Sequence, residues 1–149
     1  GDGPTEAELK RSAHDLLGSR VHFAGRVARE RMARFYSAAD LFVFPGIRES
    51  LGMVYLEAQA CGLPVVALAN PGTSQVVHPG QTGLLVPEDD GASLAEAVHT
   101  LLADPKLRAR LAANAPAFIA AEHNLSLIYR DLAARLESVL NASRGVSSG

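Results

Sequence analysis

Two kinds of hydrophobic pattern alternate along the chain. Residues 41–44 (LFVF) and 64–67 (PVVA) are apolar at every position, the pattern of strands covered on both faces, and 84–86 (LLV) form a third such run. Residues 21–24 (VHFA), rich in β-branched and aromatic side chains and closed by Gly25, predict a strand ahead of these. Between them the apolar positions recur at helical spacing. Met32, Phe35 and Tyr36 mark a helix over 29–39, and 53–60 form another, stopped by Gly62 as its C-terminal cap. Leu94, Ala95, Val98, Leu101 and Leu102 mark a third helix, broken at Asp104-Pro105, and two further amphipathic helices follow at 106–121 and 125–141. Residues 69–75 (ANPGTSQ) and 78–83 (HPGQTG) are turn-rich. Strands alternating with helices predict parallel βαβ units, an α/β domain with a Rossmann-like parallel sheet flanked by helices.

Bulk properties narrow this without naming a chemistry. A chain of 149 residues with 48% hydrophobic content supports one domain that buries roughly 68–70% of its unfolded surface. A formal net charge of -2 and a pI near 6.2 supply no basic face for nucleic acid. One cysteine, Cys61, excludes an internal disulfide and a multi-cysteine zinc cluster, and its place after an apolar helix reads as packing. The five histidines lack partners at metal-ligand spacing. No run of eighteen apolar residues and no signal peptide are present, so a cytoplasmic location is expected. The opening GDGP reads as a loop that should follow a strand, so one domain over 1–141 lacking its first strands is expected, with a disordered tail at 142–149.

The chemistry concentrates where the strand at 41–44 leads into the helix at 53–60. Glu49 and Glu57 stand eight positions apart around Gly52. Spacing alone proves little, since Glu88 and Glu96 repeat it, and Ser50 as helix N-cap with two solvated glutamates explains it equally well. Position favours a site: in open α/β sheets ligands bind beyond the carboxyl ends of the strands, and backbone amides at a helix start suit a phosphate. Glu57, about a turn into the helix, could then accept hydrogen bonds from ribose hydroxyls. Glu49 would face whatever lies beyond the phosphate.

The stretch ADLFVFPGIRESLGMVYLEAQACGLPVVA, followed by GQTGLLVPEDD, resembles the donor-binding, C-terminal half of group 1 retaining nucleotide-sugar glycosyltransferases of the GT-B fold. The opening GDGP and RVHFAGRV are similar to the family's glycine-rich loop and base-contacting strand. The resemblance runs from the start to about residue 141. It implies glycosyl transfer from a nucleoside diphosphate sugar, UDP- or GDP-linked, with retention at the anomeric carbon and with no metal or other cofactor. Carried over, Glu49 is the catalytic glutamate near the donor sugar and Glu57 the ribose ligand. The amides of Ser50, Leu51, Gly52 and Met53 receive the diphosphate, Gly25, Arg26 and Val27 contact the base, and Gly3 belongs to the loop leading into the site. The family's Arg-x4-Lys pair and its N-terminal acceptor-binding domain would precede Gly1, so the chain alone is expected to bind donor without turning it over, with membrane contact through that other domain. Three readings follow: a transferase donor half, a non-catalytic nucleotide-sugar-binding module, or an epimerase or phosphorylase of the same architecture. Departures from the family pattern fall at Gly46, where serine is common, and in the loop after 64–67, where Pro71 replaces a glycine and Gln75 an acid.

Overall fold

The computed structural model describes residues 3–46, 52–88 and 90–146. Its sheet has three parallel strands, β1 (Phe42–Phe44), β2 (Val65–Leu68) and β3 (Gly83–Val86), in the order β1-β2-β3. Val43 is in register with Val66, and Val66 with Leu84. Around it lie α1 (Glu6–Leu17), α2 (Arg29–Ser37), α3 (Met53–Ala60), the single turn α4 (Thr73–Val76), α5 (Gly91–Ala103), α6 (Pro105–Glu122) and α7 (Leu125–Val146).

The uninterrupted apolar run of β2 has the expected cause. Successive strand side chains point to opposite faces, and here both faces are covered. Val65 and Ala67 pack with Tyr36 of α2 and Tyr55 and Ala58 of α3, while Val66 and Leu68 pack with Ala97 and Leu101 of α5 and Leu111 of α6. Burying each such valine or leucine side chain contributes on the order of 1.5–3 kcal/mol, so β2 is the element that joins the two cores.

Helix ends follow local chemistry. Asp104 closes α5 and caps α6, its carboxylate accepting from the backbone N–H groups of Lys106 and Leu107 at 3.0 and 2.9 Å, with Pro105 at the first helical position. Gly62 follows α3 with φ of 74°, the left-handed conformation that ends a helix cheaply only at glycine.

Four features differ from the sequence reading. Residues 21–24 are not a strand: Val21 is extended, but no strand described here pairs with the segment, and Phe23 is 40% exposed. Extended local preference without a neighbour's N–H and C=O groups makes no ladder. β1 is not covered on both faces. It is an edge of the described sheet, pairing only with β2, and Val43 is open to solvent. The helix α1 was not read from the pattern; its apolar positions Leu9, Ala13, Leu16 and Leu17 recur at helical spacing, but none of its residues is buried. The last helix continues to Val146 rather than ending at residue 141. Along it Leu127, Ile128, Tyr129, Leu132 and Leu136 form an exposed apolar set.

Candidate functional site

The helix α3 starts from the carboxyl end of β1. Its N-cap is Gly52, in the left-handed conformation at φ 64°, ψ 52°, and not Ser50. Just inside the first turn, the fully buried Tyr55 ring packs edge-on against Phe42 and Phe44 of β1, and its hydroxyl donates to the Phe44 carbonyl oxygen at 3.3 Å. Tyr55 therefore joins the end of β1 to the start of α3. Glu49, Ser50 and Leu51, three of the residues that the sequence assigns to donor sugar and diphosphate, lie outside the described residues.

Glu57 is half-buried one turn into α3. The Tyr36 hydroxyl, from α2, donates to its Oε2 at 3.2 Å. The Tyr36 ring is 5% exposed and packs edge-on to Phe42, with centroids 5.6 Å apart. Burial first, then the Glu57 charge, the hydrogen bond to Glu57 and the neighbouring Cys61 push the phenol up to about 12. It stays a protonated donor to the carboxylate at neutral pH. Glu57 and Tyr36 open onto a cavity of about 270 Å³ whose other described walls are Arg29, Met32, Ala33 and Cys61. On its other side Glu57 borders a more apolar cavity of about 450 Å³, with Met53, Leu56 and Ala60 of α3, Ile119 and His123 near the end of α6, and Ile128 of α7.

The structure thus brings Gly52, Met53 and Glu57 together on one helix. Gly25, at φ 65°, with exposed Arg26 and half-buried Val27 leads into α2, and it is Arg29 of that helix that reaches the Glu57 cavity. Gly3 stands apart, in a smaller cavity of about 200 Å³ with Thr5, Glu6, Leu9 and Phe23. The sequence reading places none of Tyr36, Arg29 and Cys61 at this cavity: it gives Tyr36 only as an apolar position of the helix over 29–39 and Cys61 only as packing. One signal pointed to Tyr36: a tyrosine on the buried face of a helix needs a partner for its hydroxyl.

The altered loop after β2 is closed by its own side chains. Asn70 Oδ1 accepts from the backbone N–H groups of Gly72 and Thr73 at 3.0 and 2.9 Å. Thr73 Oγ1 accepts from the Asn70 N–H at 2.9 Å and donates to the Leu68 carbonyl at 2.7 Å. Proline fits at position 71 because its missing N–H is not needed in this pattern.

Comparison with known proteins converges on one family. The family model described as glycosyl transferases group 1 matches residues 1–118. A GDP-mannose-dependent monoacylated alpha-(1-6)-phosphatidylinositol monomannoside mannosyltransferase of Corynebacterium glutamicum is 38% identical over 145 residues, 93% of this chain and 38% of that protein. A D-inositol 3-phosphate glycosyltransferase of Acidothermus cellulolyticus is 44% identical over 119 residues, 78% of this chain and 26% of its own length. Among solved structures, sucrose-phosphate synthase from Thermosynechococcus elongatus superposes with a TM-score of 0.82 at 36% identity, over 95% of this chain and 36% of that one. Anabaena HepE in complex with UDP-glucose gives 0.78 at 30% identity, over 89% and 36%. The chain therefore spans between a quarter and two fifths of the length of these relatives. With a family model covering most of its length and the same α/β architecture in its structural neighbours, this chain belongs to the group 1 glycosyltransferases, and its fold is that of a GT-B half.

Proposed function

We propose that this chain binds the donor of a retaining glycosyl transfer, a nucleoside diphosphate sugar, at the start of α3, and that a second, acceptor-binding domain completes the enzyme. The observation that carries the reading is the placement of Glu57: a half-buried carboxylate one turn into a glycine-started helix, beside a cavity and held by a phenol. The family supports it, and so does the UDP-glucose bound by HepE. GDP-mannose dependence in the corynebacterial relative leaves both bases in play.

In this reading the diphosphate rests on the amides of Ser50, Leu51, Gly52 and Met53, where the helix dipole favours negative charge. As the bond from the anomeric carbon to the diphosphate breaks, charge grows on the departing oxygens, and preorganised N–H groups stabilise it. Cations from the partner domain add to this, and neither metal nor organic cofactor is invoked. Glu57 accepts from ribose hydroxyls and so fixes the donor in position. Glu49 lies beside the sugar and supports its developing positive charge, while Gly25, Arg26 and Val27 meet the base and Gly3 borders the approach. The chain by itself binds donor and does not transfer it.

Titration of UDP, GDP and ADP, followed by ligand-observed NMR, tests this on the wild type and on Glu57→Ala. Hydrogen bonds to a charged group are worth about 1.5–3 kcal/mol each, so the variant should bind the preferred nucleotide at least about tenfold more weakly. A nucleotide bound equally well by both proteins would overturn the assignment of Glu57.

A further inference from the structure

The hydroxyl of Tyr36 and the carboxylate of Glu57 meet from two helices, 21 positions apart in sequence, at the wall of one cavity. From this geometry we infer that Tyr36 is a positioning residue for the ribose subsite: it holds Glu57 in the orientation that receives the ribose hydroxyls. The inference rests on the donor-binding reading of Glu57.

Three observations bear on it. A carboxylate offers about four acceptor positions on two oxygens. Tyr36 occupies Oε2, leaving Oε1 and the remaining lone pair of Oε2 for a vicinal diol. A glutamate side chain on a helix surface otherwise samples several rotamers, and freezing it on binding costs affinity. The phenol that holds it is itself fixed, with its ring buried and packed edge-on against Phe42. The donor persists through the physiological range, because burial and the nearby Glu57 charge oppose ionisation.

The contact could instead be only a link between α2 and α3. A link would affect every ligand alike, or none; a positioning role acts only through hydroxyls that Glu57 touches. The test therefore compares each preferred ribonucleoside diphosphate with its 2′,3′-dideoxy analogue, on wild type, Tyr36→Phe, Glu57→Ala and the double variant. Thermal unfolding confirms that each protein is folded. Tyr36→Phe should weaken the ribonucleotide about three- to tenfold and leave the dideoxy analogue within about twofold of wild type. In the Glu57→Ala background the Tyr36→Phe change should cost nothing further. Equal weakening of both ligands, no weakening, or an undiminished effect in the Glu57→Ala background would overturn the positioning role while leaving Glu57 as the ribose ligand, provided Glu57→Ala no longer discriminates ribose from dideoxyribose. Loss of that discrimination in Glu57→Ala against wild type is expected; if Glu57→Ala leaves both ligands unaffected, the assignment of Glu57 falls, and this inference with it.

Discussion

Gly52→Ala is the sharpest test of how the site is built. Gly52 is the N-cap of α3 with φ 64° and ψ 52°, a conformation that costs an L-residue with a Cβ about 1–2 kcal/mol. A Cβ there would also run into the Tyr55 ring, striking Cδ2 and lying 2.6 Å from Cε2. That ring has nowhere to go. It is fully buried, its centroid lies 6.2 Å from that of Phe42 and 5.7 Å from that of Phe44, and its hydroxyl is bonded to the Phe44 carbonyl. Forced overpacking costs about 1–3 kcal/mol, and loss of glycine's freedom in the unfolded chain returns about 0.4–1. The net destabilisation is about 1–4.5 kcal/mol, centred on about 3. At roughly 2–4 °C per kcal/mol for a domain of this size, thermal unfolding followed by circular dichroism should show Tm lower by about 5–15 °C. Pairing the substitution with Tyr55→Leu separates the two causes. The clash is relieved in that background while the backbone cost remains, so Gly52→Ala should be less damaging there by on the order of 1 kcal/mol or more. A Tm within about 1 °C of wild type, or equal increments in both backgrounds, would refute the reasoning.

Three further outcomes follow from particular contacts. Thr73→Val keeps the shape of a fully buried side chain but removes the acceptor for the Asn70 N–H and the donor to Leu68; denaturant unfolding should report a loss of about 2–4 kcal/mol, largely restored in Thr73→Ser. Asp104→Ala leaves the first amides of α6 without their cap and should cost about 1 kcal/mol in the same assay. Tyr36 ionises in the unfolded chain near 10.0 and in the fold at about 12. The native state thus holds the proton longer, and its contribution to stability is complete below pH 10 and falls as pH rises toward 12. Wild-type stability should drop more steeply than that of Tyr36→Phe across this interval, and parallel curves would contradict the phenol's placement beside Glu57.

Legibility from sequence tracks how local the deciding interaction is. The strand β2 announces itself, because burial on both faces leaves no polar position in Val65, Val66, Ala67 and Leu68. The ends of α3 and the break between α5 and α6 were equally readable, since Gly62, Asp104 and Pro105 act on their immediate neighbours. The segment 21–24 was misread because side-chain preference is local, whereas a ladder is decided by a second strand. The helix α1 was legible in Leu9, Ala13, Leu16 and Leu17 at helical spacing and was overlooked. At the candidate site, the helix start beside Gly52 and the placement of Glu57 one turn into it were legible from the sequence. The pairing of Tyr36 with Glu57 was not: apolar periodicity assigns a buried tyrosine to the core whether or not its hydroxyl has work elsewhere. Pro71 and Gln75 looked disruptive in sequence, yet Asn70 and Thr73 close the loop locally.

The most direct test of the central claim is an amide chemical-shift map of the chain titrated with the nucleoside diphosphate it prefers. Donor binding at the start of α3 predicts the largest changes at Gly52, Met53 and the residues around Glu57, followed by the loop at 25–27 and Arg29, with the α5 and α6 interface around Leu101 and Leu111 unmoved. Changes centred on that interface or on α1, with the amides of Gly52 and Met53 still, would contradict the account.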